Sequence, residues 1–367
     1  MSNNDLALIT LRGSNEFGKK VDNYLKEWKN TDDSFILNTC CPRFGSGEAK
    51  GVLKETIRDK DVYILVDVCN FSITYDMFGY ENHMSPDDHF QDLKRMIMAC
   101  SGKANKITVI MPFLYEGRQH KRSSRESLDC AHALQELINM GVHDIITIDA
   151  HDPRMQNSVP LNGFETISPA FQFIRAYMET NKDAYIDKEH LMIIAPDEGA
   201  TDRAAFLANI LGVNMGMFYK KRDYTTIVNG KNPIVAHEFL GDNLNGKDAI
   251  IIDDMISSGD SMIDVAKQLK ERGAGRIFAF STFGLFTNGL EAFDKAVEEG
   301  IIYKVYTTNS IYQTDELLSR DWYVSVWVEE YIAKIILTLN NKQSISKLIT
   351  PSVKLREYLD KKSRQRQ

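Results

Sequence analysis

The chain has 367 residues, a formal net charge of −7, and 26% charged and 43% hydrophobic residues. That suits two domains with cores of their own and excludes a disordered chain or a general nucleic-acid binder. Cys40, Cys41, Cys69, Cys100 and Cys130 are odd in number and lack a CxxC spacing, which argues for a reducing compartment and against a disulfide framework or structural zinc. No apolar run approaches the ~20 residues that span a bilayer, and the stretch from Met1 lacks the order of a signal peptide. The expectation is a soluble cytoplasmic protein.

In chain order, short apolar runs alternate with helical spacing. Leu6–Leu11 reads as a strand, Asn15–Trp28 as a helix and Phe35–Asn38 as a brief strand. Val62–Val66 is almost wholly apolar, as a strand covered on both faces would be. A helix over Asp87–Ala99, a strand over Ile107–Met111, a helix over Ser127–Met140 and a strand over Ile145–Ile148 follow. The stretch 157–171 has the least pattern and reads as the domain linker. The alternation then resumes with Phe171–Glu179, Met192–Ala195 and Ala200–Leu211. Lys220–Asp242 has little periodicity and reads as a mobile loop. Strands at Ala249–Ile252, Ile277–Phe280 and Val305–Thr308 precede a helix over Glu329–Leu339, and 361–367 reads as a frayed end. Strands separated by helices imply parallel sheets with right-handed crossovers, and the length implies two of them.

The richest stretch is Ala249–Gly273: an apolar run, the carboxylates Asp253 and Asp254, the small loop Ser257-Ser258-Gly259-Asp260-Ser261, then a helical pattern. Small residues before a helix let N–H groups converge on an anion, and the dipole adds attraction. The two carboxylates suit a vicinal diol or Mg²⁺, so the stretch reads as a sugar-phosphate site. Four others are weaker. In Arg43–Glu48, Phe44 could stack on a flat ring and Glu48 accept from an amino group. Tyr115–Arg122 carries Arg118, Gln119 and further cations beyond a parallel strand, where they could neutralise phosphates. In 149–152, His151 stands among carboxylates as a metal candidate. Asp197 closes a strand before Gly199, which permits an anion-cradling turn, and Lys220 and Arg222 begin the loop expected to close over a phosphate. The chain has neither GxxxxGK[ST] nor GxGxxG, which argues against a P-loop kinase or a Rossmann dehydrogenase.

Taken together, RFGSGE (43–48), YEGRQHKRSSRE (115–126), TIDAHDPRMQ (147–156), APDEGATDRA (195–204), YKKR (219–222), IIIDDMISSGDSM (250–262) and TTNSIY (307–312) resemble, in order, the ribose-phosphate pyrophosphokinases. The resemblance implies two phosphoribosyltransferase-like α/β domains: 1–165 on the ATP side, 166–325 with the ribose 5-phosphate loop, and a helical segment, 326–367, packing back on the first. It implies transfer of the β,γ-diphosphoryl group of Mg·ATP to the anomeric hydroxyl of ribose 5-phosphate. Phe44, Ser46, Glu48, Arg118 and Gln119 would then serve ATP, His151 and Asp197 would serve Mg²⁺, and Lys220 and Arg222 would reach the diphosphoryl group. Asp253 and Asp254 would hold the ribose hydroxyls, and Ser257, Ser258, Gly259, Asp260 and Ser261 would cradle the 5-phosphate. A homo-oligomer built on dimers, hexamers included, is implied as well, with no nucleic-acid or membrane partner.

The chain departs from that pattern. Ser257 stands where an acidic residue is usual, Asp260 where a glycine is, Ser46 where an Asp is, and His120 where an Asp often follows Arg-Gln. The usual Gly-Phe-Phe after His151 is missing and the linker is longer. Asp260 is expected to point outward as a helix N-cap. These changes imply a divergent branch and keep two other readings open: a non-catalytic homologue that regulates a true synthetase, and a phosphoribosyltransferase.

Overall fold

The structure, a computed structural model, describes residues 5–222 and 234–366; of residues 220–222, 234–237 and 363–366 only the backbone is described. It divides into two compact units. The first comprises Met1–Pro169, Asn309–Gln313 and Trp327–Thr350; the second comprises Ala170–Thr308, Thr314–Val326 and Pro351–Gln367.

The first unit is built on a five-stranded sheet: β1 (Leu6–Thr10), β2 (Asp61–Leu65), β3 (Lys106–Ile110), β4 (Asp144–Ile148) and β5 (Gly163–Ile167). The strands lie side by side in chain order, and every pairing is parallel. The apolar runs become strands because both faces are covered: Ile9, Ile64 and Val109 are wholly or almost wholly buried. Helices α1 (Asn15–Lys29), α2 (Pro86–Cys100) and α3 (Asp129–Asn139) make the crossovers. Ser85 and Asp88 form a capping box at the start of α2, with Pro86 at its first position. Helix α8 (Glu329–Asn340) returns late in the chain to pack on α1, where Lys29 Nζ donates to Asn340 Oδ1 at 3.0 Å.

Two expectations are corrected here. Phe35–Asn38 is not a strand; it makes one isolated bridge, Leu8 to Ile36, along the edge of β1. The expected linker 157–171 contains β5, whose half-buried edge position weakened its apolar signal. A hairpin of Thr74–Met77 against Tyr80–His83 also went unread, since its strands are polar and largely exposed.

The second unit has seven strands: β6 (Leu191–Ala195), β7 (Asn214–Arg222), β8 (Ile234–Leu240), β9 (Asp248–Ile256), β10 (Ile277–Gly284), β11 (Lys304–Thr308) and β12 (Tyr323–Val326). Their order is β8-β7-β6-β9-β10-β11-β12, parallel throughout except for the β7/β8 pair. Its helices are α4 (Ala170–Thr180), α5 (Thr201–Leu211), α6 (Asp260–Glu271), α7 (Glu291–Glu298) and α9 (Ser352–Arg366). The expected loop Lys220–Asp242 therefore takes in the end of β7 and all of β8, and its centre, 223–233, lies outside the described residues. The end expected to fray is helical as far as Arg366. After β6 the chain turns to β7 on one side, and β9 enters on the other. That reversal opens a crevice at the carboxyl ends of β6 and β9, the place where open α/β sheets bind ligands.

Candidate functional sites in the two units

In the second unit the crevice collects most of the nominated residues. β6 ends at Ala195, and β9 pairs with it only as far as Ile251, so Asp253 and Asp254 project beyond the end of β6. Asp254 is buried, and its N–H donates to Asp253 Oδ1 at 2.9 Å. Burial, then the neighbouring Asp254 charge, raise the Asp253 pKa well above the usual carboxylate range, and the Arg203 guanidinium on α5 offsets only part of that. A pair in this state gains from hydroxyl donors or a cation set against it.

The loop after β9 leads into α6 through Gly259, which has φ 89° and stands against Phe293: a β-carbon there would lie 2.3 Å from Phe293 Cε2. No other residue fits. Gly259 is also the N-cap of α6 and supplies no side-chain cap, which leaves the positive end of a twelve-residue helix facing the loop. Asp260 is consequently the first helical residue and not the N-cap expected from sequence. It does point outward: it is exposed, and Ser258 Oγ donates to its Oδ2 at 3.0 Å. The Ser257 carbonyl accepts from Thr287 N–H at 3.0 Å, anchoring the loop to the segment after β10, and Ser261 is exposed on the first turn.

Asp197 sits at the mouth of the same crevice, half-buried, and its Oδ1 accepts from Gly199 N–H at 3.0 Å. Gly199 thus serves the Asp197 carboxylate, a use that the sequence expectation of a free anion cradle missed. Lys220 and Arg222 close β7, which pairs with β6, and their side chains lie outside the described part of the structure.

In the first unit the nominated residues lie on loops. Phe44 opens a tight turn closed by Gly47 N–H to Phe44 C=O at 2.9 Å. Its ring is 54% exposed, so it is not the packed turn residue that a phenylalanine usually is. Ser46 Oγ donates to Glu48 Oε2 at 2.8 Å, and Glu48 remains exposed. Arg118 is exposed beyond β3. Gln119 beside it spends its amide on the Ser127 carbonyl at 2.8 Å, which fixes the loop's shape. His151 follows β4, exposed, its ring tilted against His120 with centroids 5.2 Å apart. His120 Nε2 lies 3.5 Å from Asp152 Oδ2, and the Arg154 fork on Asp152 holds that carboxyl down at about 2. The structure thus brings His120, His151 and Asp152 together, a grouping that the separate motifs concealed.

Two features went unread in the sequence. Asp67, buried just past β2, accepts from Cys69 N–H at 2.8 Å and from Tyr312 N–H at 2.7 Å, which ties the 309–313 segment into the first unit. Burial pushes its pKa up to about 7 against those two hydrogen bonds. A charge set directly after a buried apolar run was the available signal. The other is a cavity of about 400 Å³ bordered by Arg12, Arg43, Tyr75, Met84 and Asp92; none of the nominated residues lines it. Arg43 there is spent on Asp92, 3.0 Å away, and on the face of Tyr75.

Magnesium was expected from the resemblance. No group of three or more His, Cys, Asp or Glu side chains poised for a metal occurs among the described residues. The half-buried Asp197 carboxylate offers one hard oxygen donor at the crevice mouth, which fits an ion that takes one or two protein oxygens and completes its shell with water and phosphate.

The two units, each a mainly parallel sheet with helical crossovers, define a protein of phosphoribosyltransferase-like architecture. The model for the N-terminal domain of ribose phosphate pyrophosphokinase matches residues 6–141, and that for the phosphoribosyl synthetase-associated domain matches residues 219–350. The chain belongs to the ribose-phosphate pyrophosphokinase family. A ribose-phosphate pyrophosphokinase of Vibrio cholerae is 26% identical over 310 residues, covering 83% of this chain and 88% of the relative. One of Pasteurella multocida is 25% identical over 350 residues, with coverage of 94% and 99%. The crystal structure of phosphoribosylpyrophosphate synthetase from Mycobacterium smegmatis superposes with a TM-score of 0.75 at 20% identity, covering 92% of this chain and 99% of that one. Among the described residues no helix is long and apolar enough to cross a membrane.

Proposed function

We propose that the protein is a ribose-phosphate diphosphokinase that transfers the β,γ-diphosphoryl group of ATP to the anomeric oxygen of ribose 5-phosphate. The bond from Pβ to the oxygen it shares with Pα breaks, a bond from Pβ to the sugar oxygen forms, and the anomeric hydroxyl loses its proton. The observation that carries the reading is the crevice between β6 and β9, where a carboxylate pair and a glycine-led helix N-terminus share one strand end.

In this reading the 5-phosphate rests on the Ser257–Ser261 loop at the positive end of α6. Asp253 and Asp254 accept from the ribose hydroxyls, which fixes the sugar at both ends and aims its anomeric oxygen. Phe44 stacks on adenine and Glu48 takes its amino group, while Arg118 meets phosphate and Gln119 holds the loop that presents it. Lys220 and Arg222 neutralise charge that develops on the migrating group. His151 and Asp197 would hold Mg²⁺, which, when bound, supplies charge neutralisation on the phosphate oxygens. Oligomerisation and a cytoplasmic location belong to the same reading.

A second reading has one observation in its favour. Asp260 carries a negative charge into the phosphate loop and occupies the Ser258 hydroxyl. That would suit a homologue that regulates a synthetase without catalysing the reaction. One assay separates the two: purified protein with Mg·ATP and ribose 5-phosphate is expected to release AMP only when the sugar is present. No AMP across a range of phosphate and metal concentrations would sink the enzyme reading.

A further inference from the structure

We propose that Phe78, at the tip of the 74–83 hairpin, forms a second wall of the adenine site beside Phe44 and sets how strongly a purine triphosphate is preferred. The proposal rests on the reading of Phe44 as the adenine platform.

Met77 and Tyr80 are the last paired residues of the hairpin, so the loop is Phe78-Gly79, with φ of 52° and 81°. A two-residue loop with both φ positive favours Asn-Gly, because a β-carbon crowds the backbone in the left-handed region. A bulky phenylalanine there is strained, and with 74% exposure it recovers nothing by burial. Strain and an exposed ring on one side chain point to a contact outside the chain.

What lies against the hairpin tip is the Phe44 turn. Phe78 N–H donates to the Gly45 carbonyl at 2.9 Å. Met77 Sδ packs against Gly47 so closely that a β-carbon there would lie 2.7 Å from it. The hairpin tip and the turn are thus joined and carry two exposed aromatic side chains, Phe44 at 54% and Phe78 at 74%. Lys50 Nζ stands 6.0 Å from the Phe44 ring centroid, a positive charge beside the platform. A flat π-system attached to phosphates matches this chemistry, and a purine offers more stacking area than a pyrimidine.

The test is Phe78→Gly, which removes the ring and relieves the turn. The KM for ATP should rise at least about fivefold, the low end of what one lost base–aromatic stack costs. The KM for ribose 5-phosphate should hold, the KM for CTP should barely move, and the melting temperature should stay level or rise. Calorimetric titration with α,β-methylene ATP reads the same contrast without turnover. The proposal falls if Phe78→Gly leaves ATP affinity and the ATP-over-CTP preference unchanged while Phe44→Ala weakens ATP. It falls equally if the variant changes only the sedimentation behaviour, which would assign the ring to a second copy of the chain. If Phe44→Ala also leaves ATP binding untouched, the platform reading fails and takes this one with it.

Discussion

Burial and the adjacent Asp254 charge raise the Asp253 pKa, so the fold works against the ionised form that the proposed sugar contact needs. Folded Asp253 keeps its proton to a higher pH than the unfolded chain does. Stability therefore falls as pH rises from about 4, the unfolded carboxyl value, toward the raised folded value. Below that window both states are protonated and the effect vanishes. Asp253→Asn removes the charge and keeps an oxygen to accept the Asp254 N–H. It should stabilise the substrate-free protein at pH 8 by on the order of 1 kcal/mol, or about 2–4 °C in melting temperature. It should change little at pH 4 and raise the ribose 5-phosphate requirement about tenfold or more, the cost of one lost charged hydrogen bond. A melting temperature that drops equally at both pH values would show the carboxylate to be structural. Asp67 follows the same sign: its stabilising hold on the Tyr312 N–H coexists with a burial cost that grows as pH rises toward about 7.

At the scale of elements, the turn from β9 into α6 depends on Gly259. Gly259→Ala meets both the left-handed backbone and the Phe293 ring, so a loss of about 2–4 kcal/mol in stability is expected. Chemical denaturation should register it, and ribose 5-phosphate binding should be lost well below the temperature at which the variant melts. A variant with parental stability would mean that the loop moves away from Phe293 at little cost. The same element shows what the residues alone could reveal. Ile250, Ile251 and Ile252 announce a strand covered on both faces, and the small residues after it announce a helix start, so the strand, the loop and the helix were legible. Strands with one exposed face announced themselves poorly. β5 lies at a sheet edge and passed for linker, and the 74–83 hairpin hid because Phe-Gly stands where Asn-Gly would signal a turn. The Phe44 ring could be nominated from its glycine neighbours, but its exposure could not, since exposure depends on what the hairpin leaves uncovered. The meeting of His120 with Asp152, from loops after two neighbouring strands, is a fact of register that no local motif carries.

For the whole molecule, the controlling fact is that neither unit is a single stretch of chain. The first unit's α1 buries Val21 and Leu25, and α8, on which it packs, arrives only at Glu329. Glu329 is itself buried and accepts from Asn309 Nδ2 at 2.7 Å. Truncation after Val326 should therefore damage the N-terminal unit. The shortened protein is expected to bind a hydrophobic dye and to lose its cooperative melt, as chains with uncovered apolar helix faces do. A sharp, parental transition in the truncated protein would contradict this. The ribosome imposes the same truncation on every copy for a while. Roughly 160 residues separate the end of β5 from the start of α8, so at ~5–20 residues per second a nascent chain waits about 8–30 seconds for its last covering helix. Over that interval the finished-looking first sheet is a half-covered intermediate, and any chaperone that attends this protein during synthesis has its natural client in the bare flank of α1.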